Sequence, residues 1–281
     1  MFNKNKTTAT LTRLVLCVFT LAPAASTQAD TAAEMARKLQ NPLANIKALM
    51  TDNAIGFNSG TEKGTSFGFQ FQPVYAIDMP DKGYTFIPRA VIPVMGLEPG
   101  TDVPPVGAPT PPASNRAWGL GDSMLQFFFA PHTPAKWKWG VGPQLSLPTH
   151  TQSKFKGPDW GAGVAAVITG NITPDLAIAG LLGNHWSFDG KYNTATIQPM
   201  LFYNLPAVSG AYLAYNSVIS ADWEAGSDNT WTVPLGFTIG RTFDMGAGNG
   251  LDMSIGPYKN IVRPDGAADW TLRFGLSWVF P

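Results

Sequence analysis

The 281-residue chain is short of charge, of cysteine, of histidine and of long apolar runs. Charged residues make up 14% of it, against about 25% in ordinary soluble domains. Such scarcity argues against a secreted globular enzyme. Cys17, the one cysteine, falls inside an N-terminal leader-like segment. Without that segment the chain has no disulfide, thiol nucleophile or thiolate metal site. The three histidines, His132, His150 and His185, are scattered, and no His/Asp/Glu cluster has ligand spacing. No metal and no cofactor is therefore expected. Beyond the leader no run of 18 consecutive apolar residues occurs, so a transmembrane helix is not expected.

The leader has the layout of a secretory signal. Lys4, Lys6 and Arg13 precede the apolar run LVLCVFTLAPAA, followed by small residues ending in TQA. Residues 1–29 are predicted to be a signal peptide cleaved between Ala29 and Asp30. Its removal leaves 16 basic residues against 19 acidic ones, a formal charge of −3. That balance argues against nucleic acid as a partner. Export, low charge and no membrane helix have one common explanation. The chain crosses the bacterial outer membrane as a closed β-barrel, its apolar residues spread over alternate positions.

The alternation is visible along the chain. WKWGVGPQLSL (137–147) places Trp137, Trp139, Val141, Pro143, Leu145 and Leu147 on one face, with Lys138, Gln144 and Ser146 on the other. The stretches 67–79, 231–240 and 269–281 repeat the pattern. A period of two sends each set to its own side of a sheet. A soluble β-sandwich would alternate as well. Here the minor face is small and polar rather than charged. Trp137, Trp160, Trp186, Trp223, Trp231, Trp270 and Trp278 also gather near segment ends, as interfacial girdles do. The predicted fold class is all-β, an antiparallel up-and-down transmembrane barrel. Its strands are predicted at 53–60, 64–79, 84–96, 119–132, 137–150, 159–172, 175–190, 194–206, 211–226, 231–245, 250–262 and 269–281. Single-chain bacterial barrels have even strand numbers; that favours twelve, with ten or fourteen as alternatives.

The domain reading is a leader (1–29), an amphipathic helical segment (30–52) and a barrel (53–281). In the middle segment Met35, Leu39, Leu43, Ile46 and Met50 recur at helical spacing, and Asn41-Pro42 reads as the start of a second helical turn. This segment either plugs the barrel mouth, lies on the membrane surface or merely caps the core. Most of the longer predicted connections, 97–118 and 151–158 among them, fall on the side opposite the N-terminus, which assigns that side to the cell exterior. The loop LEPGTDVPPVGAPTPPASNRA (97–117) should be stiff and extended. Pro73, Pro93, Pro143, Pro199, Pro234 and Pro257 fall inside predicted strands, where bulges would accommodate them.

NPLANI, FQPVYAI, GLGDSMLQFFFAP, WGVGPQLSLPT, WTVPLGFTIG and the ending WTLRFGLSWVFP, in that order and spacing, resemble a family of bacterial outer-membrane barrels. Its members are labelled "transporter", some misleadingly "neuromedin U", and it looks related to barrels of meta-pathway phenol degradation. The resemblance spans nearly all of 34–281. It implies an outer-membrane barrel moving small molecules, with aromatic or hydrophobic solutes as candidates. It supplies no catalytic set.

A channel acts through its lumen, so the polar phase carries the candidate site: Gln70, Gln72, Arg89, Asp122, Gln126, Lys138, Gln144, His185, Gln198, Asn216, Asp222, Glu224 and Arg273. Arg89 should lie near mid-membrane, and Asp122, His185, Asp222, Glu224 and Arg273 toward the outside. Charges of both signs could form a selective eyelet or a salt-bridged filling. GNHWSFDG (183–190) offers a second chemistry. His185 and Ser187 share a face at a spacing that resembles outer-membrane phospholipases and lipid A deacylases, with Ser187 as nucleophile and His185 as base. Against it, the pair falls on the lumen phase and no third member is identifiable. The leading expectation is a passive small-molecule channel and no enzyme. Its partners are outer-membrane lipid, a small solute and the outer-membrane assembly machinery. The alternatives are a lipid hydrolase or a structural or adhesive barrel.

Overall fold

The computed structural model describes residues 26–60, 62–97, 116–132 and 135–280. Most of the expected leader and nearly all of the proline-rich loop lie outside them. Helix α1 (Ser26–Leu39) is followed by twelve strands. These are β1 (Lys47–Ser59), β2 (Gly64–Tyr75, extended by Ile77–Met79), β3 (Tyr84–Leu97), β4 (Ala117–Leu120 and Ser123–Pro131), β5 (Trp137–Leu147) and β6 (Gly161–Asn171). There follow β7 (Leu176–Ser187), β8 (Asn193–Asn204), β9 (Ala211–Asn216 and Ile219–Asp222), β10 (Trp231–Gly236 and Thr238–Gly246), β11 (Asn249–Val262) and β12 (Trp270–Phe280). Each strand pairs antiparallel with its chain neighbours, and β1 closes on β12 from Lys47↔Phe280 to Phe57↔Trp270. The result is a closed transmembrane β-barrel of the expected strand number. Closure removes the sheet edge that lipid cannot satisfy. No helix among the described residues is long and apolar enough to cross a membrane.

Side chains divide as a period of two requires. Along β5, Trp137, Trp139 and Val141 are exposed to the outside while Gly140, Gln144 and Ser146 are buried in the interior. Along β12, Trp270, Leu276 and Phe280 face out while Ser277 and Val279 are buried. The exterior also carries Leu182, Leu235, Phe237 and Ile168, each at least half exposed. In water such a surface would be unstable; in a bilayer it is solvated.

Two expectations need correction. β1 begins at Lys47, not at 53, and the helical segment ends at Leu39, not near Met50. The strand start was hidden because Thr51 and Asn53 put polar groups on the outward phase. At this seam the β1–β12 ladder skips Thr51 and Asp52, and side chains replace it. Thr51 Oγ1 donates to Leu276 O and accepts from Leu276 N, both at 3.0 Å. Asn53 Nδ2 donates to Phe274 O at 3.1 Å. Nor does Asn41-Pro42 start a helix: Asn41 Oδ1 accepts the Leu43 N–H at 3.0 Å, and the chain turns back into β1. Met35, Leu39, Ile46 and Met50 still meet in one cluster with Ala48 and Val279. The reversal brings them together, not a helical repeat.

The strand prolines obey a rule of their own. Pro73, Pro143, Pro199 and Pro257 each keep a continuous ladder with one neighbouring strand and face a gap with the other. A residue's single N–H points to one side, so its loss interrupts one ladder only. Pro234 adjoins a register shift, and Pro93 faces the break within β4. Backbone groups freed near the gaps find side chains. Arg273 Nη1 donates to Asn216 O at 2.7 Å, Tyr258 Oη accepts from Asn216 N at 3.3 Å, and Tyr215 Oη donates to Pro234 O at 2.7 Å.

Candidate functional site: the barrel lumen and its waist

The inward phase encloses two chambers. The inner one, about 220 Å³, lies beside α1 and its connector, with Ala36, Leu39, Gln40, Pro42 and Ile46 along it. The other, about 310 Å³, opens toward the opposite end, between Met95, Met124, Gln144, His185 and Tyr258. Asp52, Gln70, Arg89, Gln198 and Arg273, with Leu181 and Val218, line both. These residues form a waist between the chambers.

Polar contacts hold the waist. Arg273 Nη2 pairs with Asp52 Oδ2 at 2.5 Å. Arg89 Nη2 donates to Gln72 Oε1 at 2.5 Å, and Gln72 Nε2 to Gln70 Oε1 at 2.7 Å. On the facing wall Gln198 Nε2 donates to Asn216 Oδ1 at 2.8 Å. Beside Arg89, Gln126 Nε2 donates to Gln144 Oε1 at 2.7 Å, and Gln144 Nε2 to Val164 O at 3.0 Å. Sequence reasoning placed Arg89 near the middle, where it is. It placed Arg273 toward the outside, whereas Arg273 sits at the waist. It missed Asp52 altogether, because the expected strand began at 53, just after it, whereas the strand that carries it begins at Lys47.

Other candidates lie elsewhere. Asp122 sits in the break of β4 and faces the outer chamber, but its carboxylate is occupied by the loop 148–160. It accepts from Gly157 N at 2.9 Å, Asp159 N at 2.7 Å and His150 N at 3.2 Å, and contacts His150 Nδ1 at 2.6 Å. The loop is thereby drawn in, with Phe155 buried against Leu97 and Ala117 and with Pro158 on the chamber wall. At its exposed end Lys156 Nζ pairs with Asp159 at 2.9 Å, which holds the Asp159 carboxyl below its ordinary range and raises the lysine. Lys138 is on the inward phase but exposed at the start of β5. Glu224 is an exposed loop residue, and Asp222 ends β9 and accepts from Glu224 N at 3.0 Å. Alternation fixes the side of the wall a residue faces, not its height.

His185 and Ser187 do not form a dyad. His185 Nε2 bonds Ser146 Oγ at 2.9 Å. Ser187 Oγ donates to Asp189 at 2.6 Å and accepts from Tyr192 N at 3.0 Å and Lys191 N at 3.1 Å. Both residues are buried on the lumen side, and the serine fastens the turn after β7. Among the described residues no group of three or more His, Cys, Asp or Glu side chains could hold a metal ion.

At the inner end α1 is seated in the barrel mouth. Ala32, Met35 and Ala36 are buried, and a side chain at Gly250 would collide with Met35 Cγ at 2.6 Å. Gln40 and Asn204 exchange amide hydrogen bonds at 2.8 and 2.9 Å. Arg37 reaches Asp175 at 3.9 Å.

A closed, lipid-facing barrel with a polar-waisted interior defines a membrane β-barrel of the channel-forming type. The chain belongs to the family described as "Putative MetA-pathway of phenol degradation", whose profile matches residues 51–280. Among solved structures it is similar to an outer membrane channel from Pseudomonas putida, with TM-score 0.58 and 13% identity, covering 84% of this chain and 96% of that one. The NanC porin is similar at TM-score 0.50 and 10% identity, covering 84% and 99%. The outer membrane phospholipase A of Escherichia coli, at TM-score 0.45, 11% identity and coverage of 91% and 99%, is too distant to bear on activity. At these identities the likeness is one of fold. Comparison with curated proteins returned no match.

Proposed function

We propose that the protein is a passive outer-membrane channel for small, single-ring-sized solutes, without enzymatic activity. One observation carries the reading: two chambers meet at a polar waist inside a wall whose outside is apolar. The larger chamber exceeds the roughly 150 Å³ that suffices to hold benzene. Shorter turns gather at the α1 end and longer loops at the other, the asymmetry of an outer-membrane barrel with α1 on the periplasmic side. Lipid then contacts the exterior, and the aromatic last strand β12, which closes on β1, is the segment offered to the assembly machinery. The engaged hydrogen bonds of Ser187 and His185 support leaving hydrolysis out. Purified protein in liposomes should pass benzoate- or phenol-sized solutes and show single-channel conductance. Ser187→Ala should hydrolyse phospholipid no differently from wild type. Absence of both flux and conductance would sink the channel reading.

A further inference from the structure

Among the described residues, the waist carries one positive charge, Arg89, without a carboxylate paired to it. Asp52 is committed to Arg273, which also holds Asn216 O. Arg89 donates to the neutral Gln72, and among the described residues the one carboxylate acting on it is that same Asp52. Its Nε has no partner. Arg89 is the register partner of Gln126, Gln126 of Gln144, Gln144 of Gly163 and Gly163 of His185, a row running round the inner wall. Gln126 Oε1 and His185 Nδ1, in that row, are also buried without partners. All three residues line the outer chamber. Asp122, the other carboxylate there, is taken up by the loop amides and His150. The rest of the wall includes Val91, Pro93, Met95, Met124 and Val218.

A partly buried cation inside the barrel wall without its own counter-ion is unfavourable, and a guanidinium is shaped for the two oxygens of a carboxylate. A neutral phenol would leave the charge standing, and an aromatic ammonium would be repelled. We propose that the waist binds a small aromatic monocarboxylate, its carboxylate on Arg89 and its ring in the outer chamber against the apolar wall. This deepens the channel reading, and only its use in transport rests on that reading; binding does not.

Isothermal calorimetry on the purified, detergent-solubilised protein tests it with benzoate and its neutral isostere benzamide. Benzoate should bind at least about tenfold more tightly, the factor a charge-assisted pair supplies. Arg89→Gln should bring the two ligands to parity, and Arg89→Lys should keep part of the preference. Equal affinities in wild type, no binding of benzoate, or a preference that survives in a folded Arg89→Gln protein would overturn the proposal. Should Arg89→Gln not fold, the wild-type comparison and Arg89→Lys decide alone. Benzoate binding without liposome flux removes the channel and keeps the site. Flux of both solutes without a carboxylate preference removes the site and keeps the channel.

Discussion

At the residue scale, the closing seam shows what lipid demands of a backbone. Where the β1–β12 ladder skips, Thr51 Oγ1 serves both the N–H and the C=O of Leu276. An unpaired backbone group facing hydrocarbon has no water to turn to. Thr51→Val keeps the shape and removes both bonds, leaving two backbone groups unserved. It should lower unfolding stability in liposomes by about 1–3 kcal/mol. Urea-unfolding midpoints of the two proteins at constant slope would measure the loss. An unchanged midpoint would mean that the seam is satisfied some other way.

At the scale of elements, two pieces enter the barrel from opposite ends. Loop 148–160 hangs on Asp122, which makes three backbone contacts and one to His150. Asp122→Ala should free the loop, seen as faster amide exchange at Gly157 and Asp159 with the barrel's own protection unchanged. The exposed Lys156–Asp159 tie has a definite pH window. Asp159 is held below its ordinary value of 3.8, so its contribution is present above that pH and lost as pH falls through the lowered value. Lys156 is held above 10.5, so its contribution is present below that pH and lost as pH rises through the raised value. Added salt should weaken this exposed pair at any pH. At the other end α1 is fastened by the Gln40–Asn204 exchange. Asn204→Ala strands the buried Gln40 amide, at a local cost of about 1–3 kcal/mol. Conductance in planar bilayers should then become larger or more often open. No change in either would show that α1 does not limit the path.

At the scale of the whole molecule, the barrel is a compromise between sealing and passage. Its interior is filled by α1 from one end and by a drawn-in loop from the other, leaving chambers of about 220 and 310 Å³ on either side of the waist. Twelve strands sit between small barrels packed with side chains and wide porins with open water. That intermediate width makes a waist of a few side chains able to decide what passes.

Much of this was legible in the sequence, for a physical reason. Alternation is local, so WKWGVGPQLSL and DWTLRFGLSWVFP state by themselves which face meets lipid, and the count of such segments, with the even strand number of single-chain barrels, points to twelve strands. Gln72, Gln126, Gln144 and His185 were assigned to the interior on the same ground. What tertiary structure decided depends on which strands meet and at what height. Asp52 became visible only when β12 was laid against it with Arg273. Asp122 proved to be a loop anchor and Glu224 a surface residue, although both follow the polar phase. The helix ended early because Met35 and Met50 gather through a chain reversal rather than a helical turn. The sequence determined the wall of this protein; the contents of its lumen were decided by contacts between residues far apart in the chain, which no local period records.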